Sequence, residues 1–231
     1  MAMAADRSLV EAVRRRLAEI GDPAKAPAMQ AYMKSAMPYR GVPSPAQKRL
    51  AREVFAAHPL PDRGTWRDTA LALWRDAGYR EERYLAVALT GWPRYAGYQD
   101  PAALPLYEEL VVTGAWWDYV DEVAIQRIGP ILRGHREALT PVIRAWSTDG
   151  DPWKRRTAVI CQVKAKGDTD LALLADCIAA NAADRDFFLR KAIGWALRDY
   201  AWHDPRWVRG YVAAHPELSA LSRREALKNL R

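Results

Sequence analysis

Arg83-Tyr84-Leu85-Ala86, Asp121-Glu122-Val123-Ala124, Arg155-Arg156-Thr157-Ala158 and Leu189-Arg190-Lys191-Ala192 are four versions of one pattern. In each, a charged residue precedes a small one and an apolar stretch follows, and the four alanines stand 38, 34 and 34 residues apart. Steps of that size suit two-helix solenoid units of the HEAT or armadillo sort, in which the second helix of each pair lines a concave surface. The alanine would let helices approach closely, and the polar residue would face the groove. The competing reading is a helical bundle in which the alanine spacing is accidental.

Outward from these segments the chain reads as helix nearly everywhere. Residues 9–20, 45–57, 65–76, 81–89 and 170–180 are rich in Ala, Leu, Arg and Glu, with apolar positions three and four apart. Strand alternation and Asn-Gly hairpin signals are missing. The breaks are short and carry Gly or Pro: Arg40-Gly41-Val42-Pro43, Gly91-Trp92-Pro93, Asp100-Pro101, Gly129-Pro130, Asp149-Gly150-Asp151-Pro152 and Gly167-Asp168. The expectation is an all-α protein, an α-solenoid of HEAT-like two-helix repeats with a concave basic groove. No linker interrupts it, so one domain spans residues 1–231, with N-terminal helices to about residue 60 and repeats from about 61 onward.

The chain has 231 residues, half of them hydrophobic, enough to bury a sizeable core. Its net charge of +7 is unevenly placed: residues 133–231 hold 18 Lys+Arg against 12 Asp+Glu, or +6 of the total. A basic C-terminal part points to a polyanion, nucleic acid being the commonest. Only Cys161 and Cys177 could form a disulfide, and neither stands in a metal-ligand spacing such as C-x-x-C. That suits a reducing, metal-free cytoplasmic setting without a cofactor. The N-terminus runs from Met1 into a charged helical segment with no long apolar region, and no apolar run would span a bilayer, so secretion and membrane insertion are not expected.

The chemistry is carried by Trp116-Trp117-Asp118-Tyr119-Val120-Asp121. On a helix Trp117 and Asp121 share a face, and a ring beside an anion suits a ligand that is cationic or becomes so during reaction. The aligned helices would bring Arg155, Arg156, Arg190, Lys191 and Trp195 to the same groove, with Lys154 alongside. One acid among several bases is unusual for merely holding DNA, since a carboxylate repels phosphate. It has a purpose if the duplex carries a purine alkylated at N3 or N7. Such a base is positively charged, its glycosidic bond is weakened, and cleavage builds oxocarbenium character on the sugar. Asp121 would stabilise that cation or orient a water toward C1′. Trp117 and Trp195 would face the sugar and the lesion, and the arginines would hold phosphates without reading sequence.

These blocks resemble the AlkD-like DNA alkylation-repair glycosylases. The likeness rests on the Trp116 to Asp121 stretch, on Trp153-Lys154-Arg155-Arg156-Thr157-Ala158, and on Phe187-Phe188 through Lys191-Ala192-Ile193-Gly194-Trp195 to Arg198-Asp199-Tyr200. Tyr32-Met33-Lys34 and Gly41-Val42-Pro43-Ser44-Pro45 are similar to that family's opening segment, so the likeness covers about residues 32–200. The resemblance implies a repeat solenoid that cups duplex DNA and excises 3-methyladenine, 7-methylguanine and related cationic purines, without metal and without a base-flipping pocket. It maps the catalytic acid onto Asp121, the sugar-facing tryptophans onto Trp117 and Trp195, the groove arginine onto Arg156, and an aromatic residue near DNA onto Tyr32. Pro43 is a departure: some members have a polar residue there, so a side-chain contact would be lost.

Each assignment has a structural rival. Trp residues at helical spacing are commonly core, and Trp116, in phase with Val120 and Val123, is the better core candidate. Asp118 sits early in the helix, where a carboxylate suits the N-terminal dipole, so capping is assigned to it and chemistry to Asp121. A shift of one residue would exchange Arg155 and Arg156. His58, His135, His203 and His215 are scattered and read as surface residues. Nucleophilic triads, phosphate loops and zinc motifs are missing. Arg206, Arg209, Arg223, Arg224, Lys228 and Arg231 would either extend a phosphate track or form a solubilising face. The expected partner is duplex DNA containing alkylated bases, bound by a monomer with no obligate protein partner. The alternative is a non-catalytic repeat protein that binds damaged or branched DNA.

Overall fold

A computed structural model describes residues 4–230, so Arg231 of the C-terminal basic set and the first three residues lie outside the described residues. Among those described there are fourteen α-helices and no strand, as the spacing of apolar residues predicts. None of these helices is long and apolar enough to cross a membrane. The chain divides into two compact units, one ending at Tyr98 and one starting at Gln99. Residues 61–98, expected to open the repeats, cluster with the N-terminal helices.

The first unit holds α1 (Arg7–Glu19), α2 (Ala26–Met33), α3 (Ser44–Ala57), α4 (Arg63–Arg75) and α5 (Arg80–Thr90). Asp6 caps α1 by accepting from the Leu9 N–H, and Asp62 caps α4 by accepting from the Thr65 N–H. The apolar stripe of α1 buries Leu9, Val10, Ala12, Val13 and Leu17, α3 buries Leu50, Val54 and Phe55, and α4 buries Trp66 and Trp74. Each fully buried aliphatic chain there contributes roughly 1.5–3 kcal/mol relative to exposure. The Gly41 break is built from two constraints. Its φ is +79°, and a Cβ there would fall 2.0 Å from the Asp22 carbonyl oxygen, so glycine is required. Beside it the fully buried Glu81 accepts from the N–H groups of Arg40 and Val42, at 3.0 and 3.1 Å, which fixes the loop. By contrast, α2 buries no residue, and Tyr32 on it is 78% exposed.

The second unit runs through α6 (Leu104–Gly114), α7 (Trp117–Val123), α8 (Gly129–Gly134), α9 (Arg136–Ser147), α10 (Pro152–Ile160), α11 (Leu171–Ala179), α12 (Phe187–Tyr200), α13 (Pro205–Ala214) and α14 (Ala220–Ala226). Within it, α10 packs on α7, α12 on α10 and α14 on α12, while α9 packs on α11. These are stacked helix pairs, with the second member of each pair in one layer. Ala124, Ala158 and Ala192, small residues of the sequence pattern, are all buried. Two glycines permit close crossings. A Cβ on Gly129 would sit 2.2 Å from the Cys161 carbonyl oxygen, and one on Gly194 would sit 2.4 Å from Glu225 Cβ.

Between α7 and α8 the helix does not stop but widens into a π turn over Ala124–Ile128. Pro130 explains it. A proline has no N–H for the carbonyl four residues back and its ring crowds that carbonyl, here that of Gln126. The oxygen so released accepts from Arg127 Nη1 at 3.1 Å.

Candidate active site

Three consecutive second helices converge on one charged group. α7 starts at Trp117, preceded by an extended Trp116 at φ −155°, so Trp117 and Asp121 stand one turn apart on its half-buried side. Asp118 lies in the first turn, where its charge suits the helix dipole; the cap itself is Trp116, without a side-chain bond. α10 begins at Pro152, capped by Asp151, which accepts from the Trp153 and Lys154 N–H groups. That start places Arg156 in the second turn, pointing inward.

Arg156 is 5% exposed and grips Asp121 with two parallel bonds. Its Nε donates to Oδ1 at 2.7 Å and its Nη2 to Oδ2 at 2.8 Å, while Nη1 donates to the Phe188 carbonyl oxygen at 2.6 Å. One guanidinium thus ties α7, α10 and the first turn of α12 together, in the fork geometry that makes such pairs strong. Burial pushes the Asp121 carboxyl above the ordinary aspartate range; Arg156 pulls it down by less, and the charge of Asp118 adds to the upward push. The carboxylate keeps 15% of its side-chain surface open.

An aromatic cluster stands beside this pair. Ring centroids of Trp116 and Phe188 are 5.4 Å apart, Trp153 and Phe188 5.2 Å, and Trp116 and Trp153 6.2 Å. Phe187, 57% exposed, packs edge-on against Phe188. Trp116 is therefore half-buried in this cluster rather than in phase with Val120 and Val123 on the helix, because it precedes the helix. Its Nε1 is buried without a hydrogen-bond partner.

The remaining cations expected in the groove each meet a partner. Lys154 Nζ lies 2.8 Å from Glu108 and 2.6 Å from Asp149. Arg155 turns away from Asp121: Nη1 donates to the Asp149 and Gly150 carbonyls at 2.8 and 3.2 Å, and Nη2 reaches Asp184 at 3.2 Å. Arg190 Nε donates to the Asp184 carbonyl at 2.9 Å, and Lys191 Nζ lies 2.7 Å from Glu225. Trp195 is half-buried on α12, one turn beyond Lys191. Tyr32 belongs to the first unit. The expected phosphate-facing Arg156 differs from the arrangement found, in which burial and two bonds turn it to Asp121. Among the described residues no three His, Cys, Asp or Glu side chains gather as a metal site.

Sequence reasoning missed the acids that face these bases and the aromatic cluster. Both left a signal. Asp151-Pro152-Trp153 and Asp186-Phe187-Phe188 each put an aromatic residue two positions after a capping aspartate. Two of the ion pairs follow the repeat step: Asp121 and Arg156 are 35 residues apart, and Lys191 and Glu225 are 34 apart.

A family model described as DNA alkylation repair enzyme matches residues 13–230 of the chain. None of the curated proteins matches. A solved structure of a predicted DNA alkylation repair enzyme from Enterococcus faecalis is 28% identical, covering 91% of this chain and 96% of that one, with a TM-score of 0.75. The smu.31 protein of Streptococcus mutans, 17% identical over 79% of this chain and 92% of its own, shares the fold with a TM-score of 0.60.

Proposed function

The chain belongs to the DNA alkylation repair enzyme family, and from that premise we propose that it is a glycosylase that excises positively charged N3- and N7-alkylpurines from duplex DNA. The observation that carries the proposal is the Asp121 carboxylate, held by Arg156 at 2.7 and 2.8 Å and still open to solvent, one helical turn from Trp117. In the reaction proposed, the bond between C1′ and the purine nitrogen breaks and its electron pair leaves with the base, which becomes neutral. The sugar is left as an oxocarbenium-like cation. A water oxygen bonds to C1′ and its proton passes to solvent, directly or through Asp121. A fixed carboxylate beside C1′ stabilises that cation, as carboxylates do at other glycosidic bonds. Trp117 and Trp195 would lay their rings against the sugar and exclude water.

Arg156 has a positioning role in this scheme. It keeps Asp121 in one orientation and favours its ionised form against the cost of burial. Phosphate contacts are assigned to Arg155, Lys154 and Arg190, whose acidic or carbonyl partners exchange with phosphate when DNA arrives, and to Tyr32 on the exposed helix α2.

The test is release of free base from duplex containing 7-methylguanine or 3-methyladenine, for wild type and Asp121→Asn. We expect wild type to release base and the variant to be slower by about 10²- to 10³-fold. Absence of wild-type release over a no-protein control would sink the enzyme reading. A second reading, non-catalytic binding of damaged or branched DNA, gains from the engagement of both Asp121 oxygens by Arg156. It predicts tight binding to such DNA with no base released.

A further inference from the structure

Helix α14 packs on α12. Ser222 Oγ donates to the Arg190 carbonyl at 2.9 Å, and Gly194 has no room for a Cβ against Ser222 and Glu225. Glu225, 9% exposed, takes two cations from α12 at once: Lys191 Nζ at 2.7 Å on Oε1, and Arg198 Nη1 on Oε2. Lys191 and Arg198 stand four residues before and three after Trp195, so all three share a face of the helix. Two cations flank the tryptophan, and a single carboxylate from the next helix holds both.

We infer that Glu225 withholds the charges of Lys191 and Arg198 from DNA and thereby positions the turn of α12 that carries Trp195. The exposures of the carboxylates distinguish this group from the others. The acids facing Lys154 and Arg155 are 42, 31 and 28% exposed in Glu108, Asp149 and Asp184, so an arriving phosphate can replace them. Glu225 is 12% exposed on its side chain and bound twice, so a phosphate would have to strip two cations from one embedded carboxylate. Lys191 already keeps 42% of its side chain exposed, so losing its bond to Glu225 would present its charge to a phosphate without moving the helix. Its hydrogen bond and that of Arg198 hold the Glu225 carboxyl below the ordinary range, so the group is ionised at neutral pH. Two uncompensated cations beside Trp195 would also repel a positively charged base; the carboxylate cancels one of them. The effect on rate rests on the glycosylase reading, whereas the effect on affinity requires only that DNA binds.

The experiment measures binding of a labelled undamaged duplex across a salt series, alongside single-turnover release of 7-methylguanine, for wild type, Lys191→Met and Glu225→Gln. Lys191→Met is expected to leave affinity and salt slope unchanged, because in wild type that lysine contacts no phosphate. Glu225→Gln is expected to bind on the order of tenfold tighter at 0.1 M salt and to steepen the slope of log K against log salt by about 0.9 for each cation set free, while releasing base more slowly. A merely structural loss would weaken binding rather than tighten it. Weaker binding and a shallower slope for Lys191→Met would overturn the inference, as would unchanged or weaker binding by a folded Glu225→Gln. If thermal melting shows Glu225→Gln unfolded, the Lys191→Met arm decides alone. If wild type releases no base, the glycosylase reading falls and the affinity arm still judges Glu225.

Discussion

Asp121 is pulled in opposite directions, and its titration reports which pull prevails. Burial raises its pKa, Arg156 lowers it by less, and Asp118 adds a smaller rise, leaving it above the ordinary aspartate range. If the carboxylate is the working form, base release should rise with pH along an acid limb centred above that range, and Asp121→Asn should abolish the limb as well as most of the rate. Removing the downward pull has a defined sign: Arg156→Gln should move the limb to still higher pH. The same variant leaves a buried carboxylate unpaired, with an expected loss of about 3–5 kcal/mol in urea unfolding. A limb that stays in place in Arg156→Gln would show that the pair does not set the ionisation of Asp121. Stability carries the complementary sign. A raised folded pKa means that the folded state binds this proton more tightly, so the contribution is present below the ordinary range and fades as pH rises through it to the raised value. Asp121→Asn should remove that slope from urea midpoints measured between these limits.

At the scale of the element, close approach is what the repeat pattern encodes. Gly129 meets the Cys161 carbonyl and Pro130 forces the π turn behind it, so the Gly129-Pro130 break reads as a helix terminus in sequence yet serves as a tight crossing inside a continued helix. Gly129→Ala should cost about 1–3 kcal/mol or more, since the obstacle is backbone and has no rotamer to change. Gly210, inside α13 with nothing within 4 Å of its Cβ position, predicts the reverse. Gly210→Ala should stabilise by about 0.5–1 kcal/mol through helix propensity. Urea midpoints of the two variants separate these signs, and equal losses would mean that the second unit is less tightly packed than these distances require. The pattern of alanines, caps and breaks made the helices legible because each is a local property. The partners of Lys154, Arg155, Arg156 and Lys191 were not legible from composition, because Glu108, Asp184, Asp121 and Glu225 come from neighbouring helices and turns. The step of the repeat was the available guide, since Arg144 and Asp176 pair at 32 residues and Asn181 and Ser147 at 34.

Over the whole molecule, the basic excess of residues 133–231 was legible but its meaning changes once pairs are assigned: the bases around Asp121 are matched by acids or carbonyls, so net charge overstates the cations ready for phosphate. Cysteine shows the same contrast between composition and placement. Cys161 and Cys177 are both fully buried and unpaired with each other, one at the end of α10 and one in α11 of the second unit. Burial pushes the Cys177 thiol up to about 12 and the Cys161 thiol higher still, so neither supplies thiolate at neutral pH while folded. Reaction with a thiol reagent therefore requires opening of the second unit. The native protein should label slowly, and both thiols should react at once in denaturant. With reagent in the regime where closing outruns labelling, the free energy from labelling should equal that from urea unfolding of this unit and share its denaturant slope, because both sulfurs are fully buried within it. Fast labelling of Cys177, independent of urea, would reveal a local opening of α11, and fast labelling of Cys161 would reveal one of α10 and put the helix that carries Arg156 among the mobile parts of the fold.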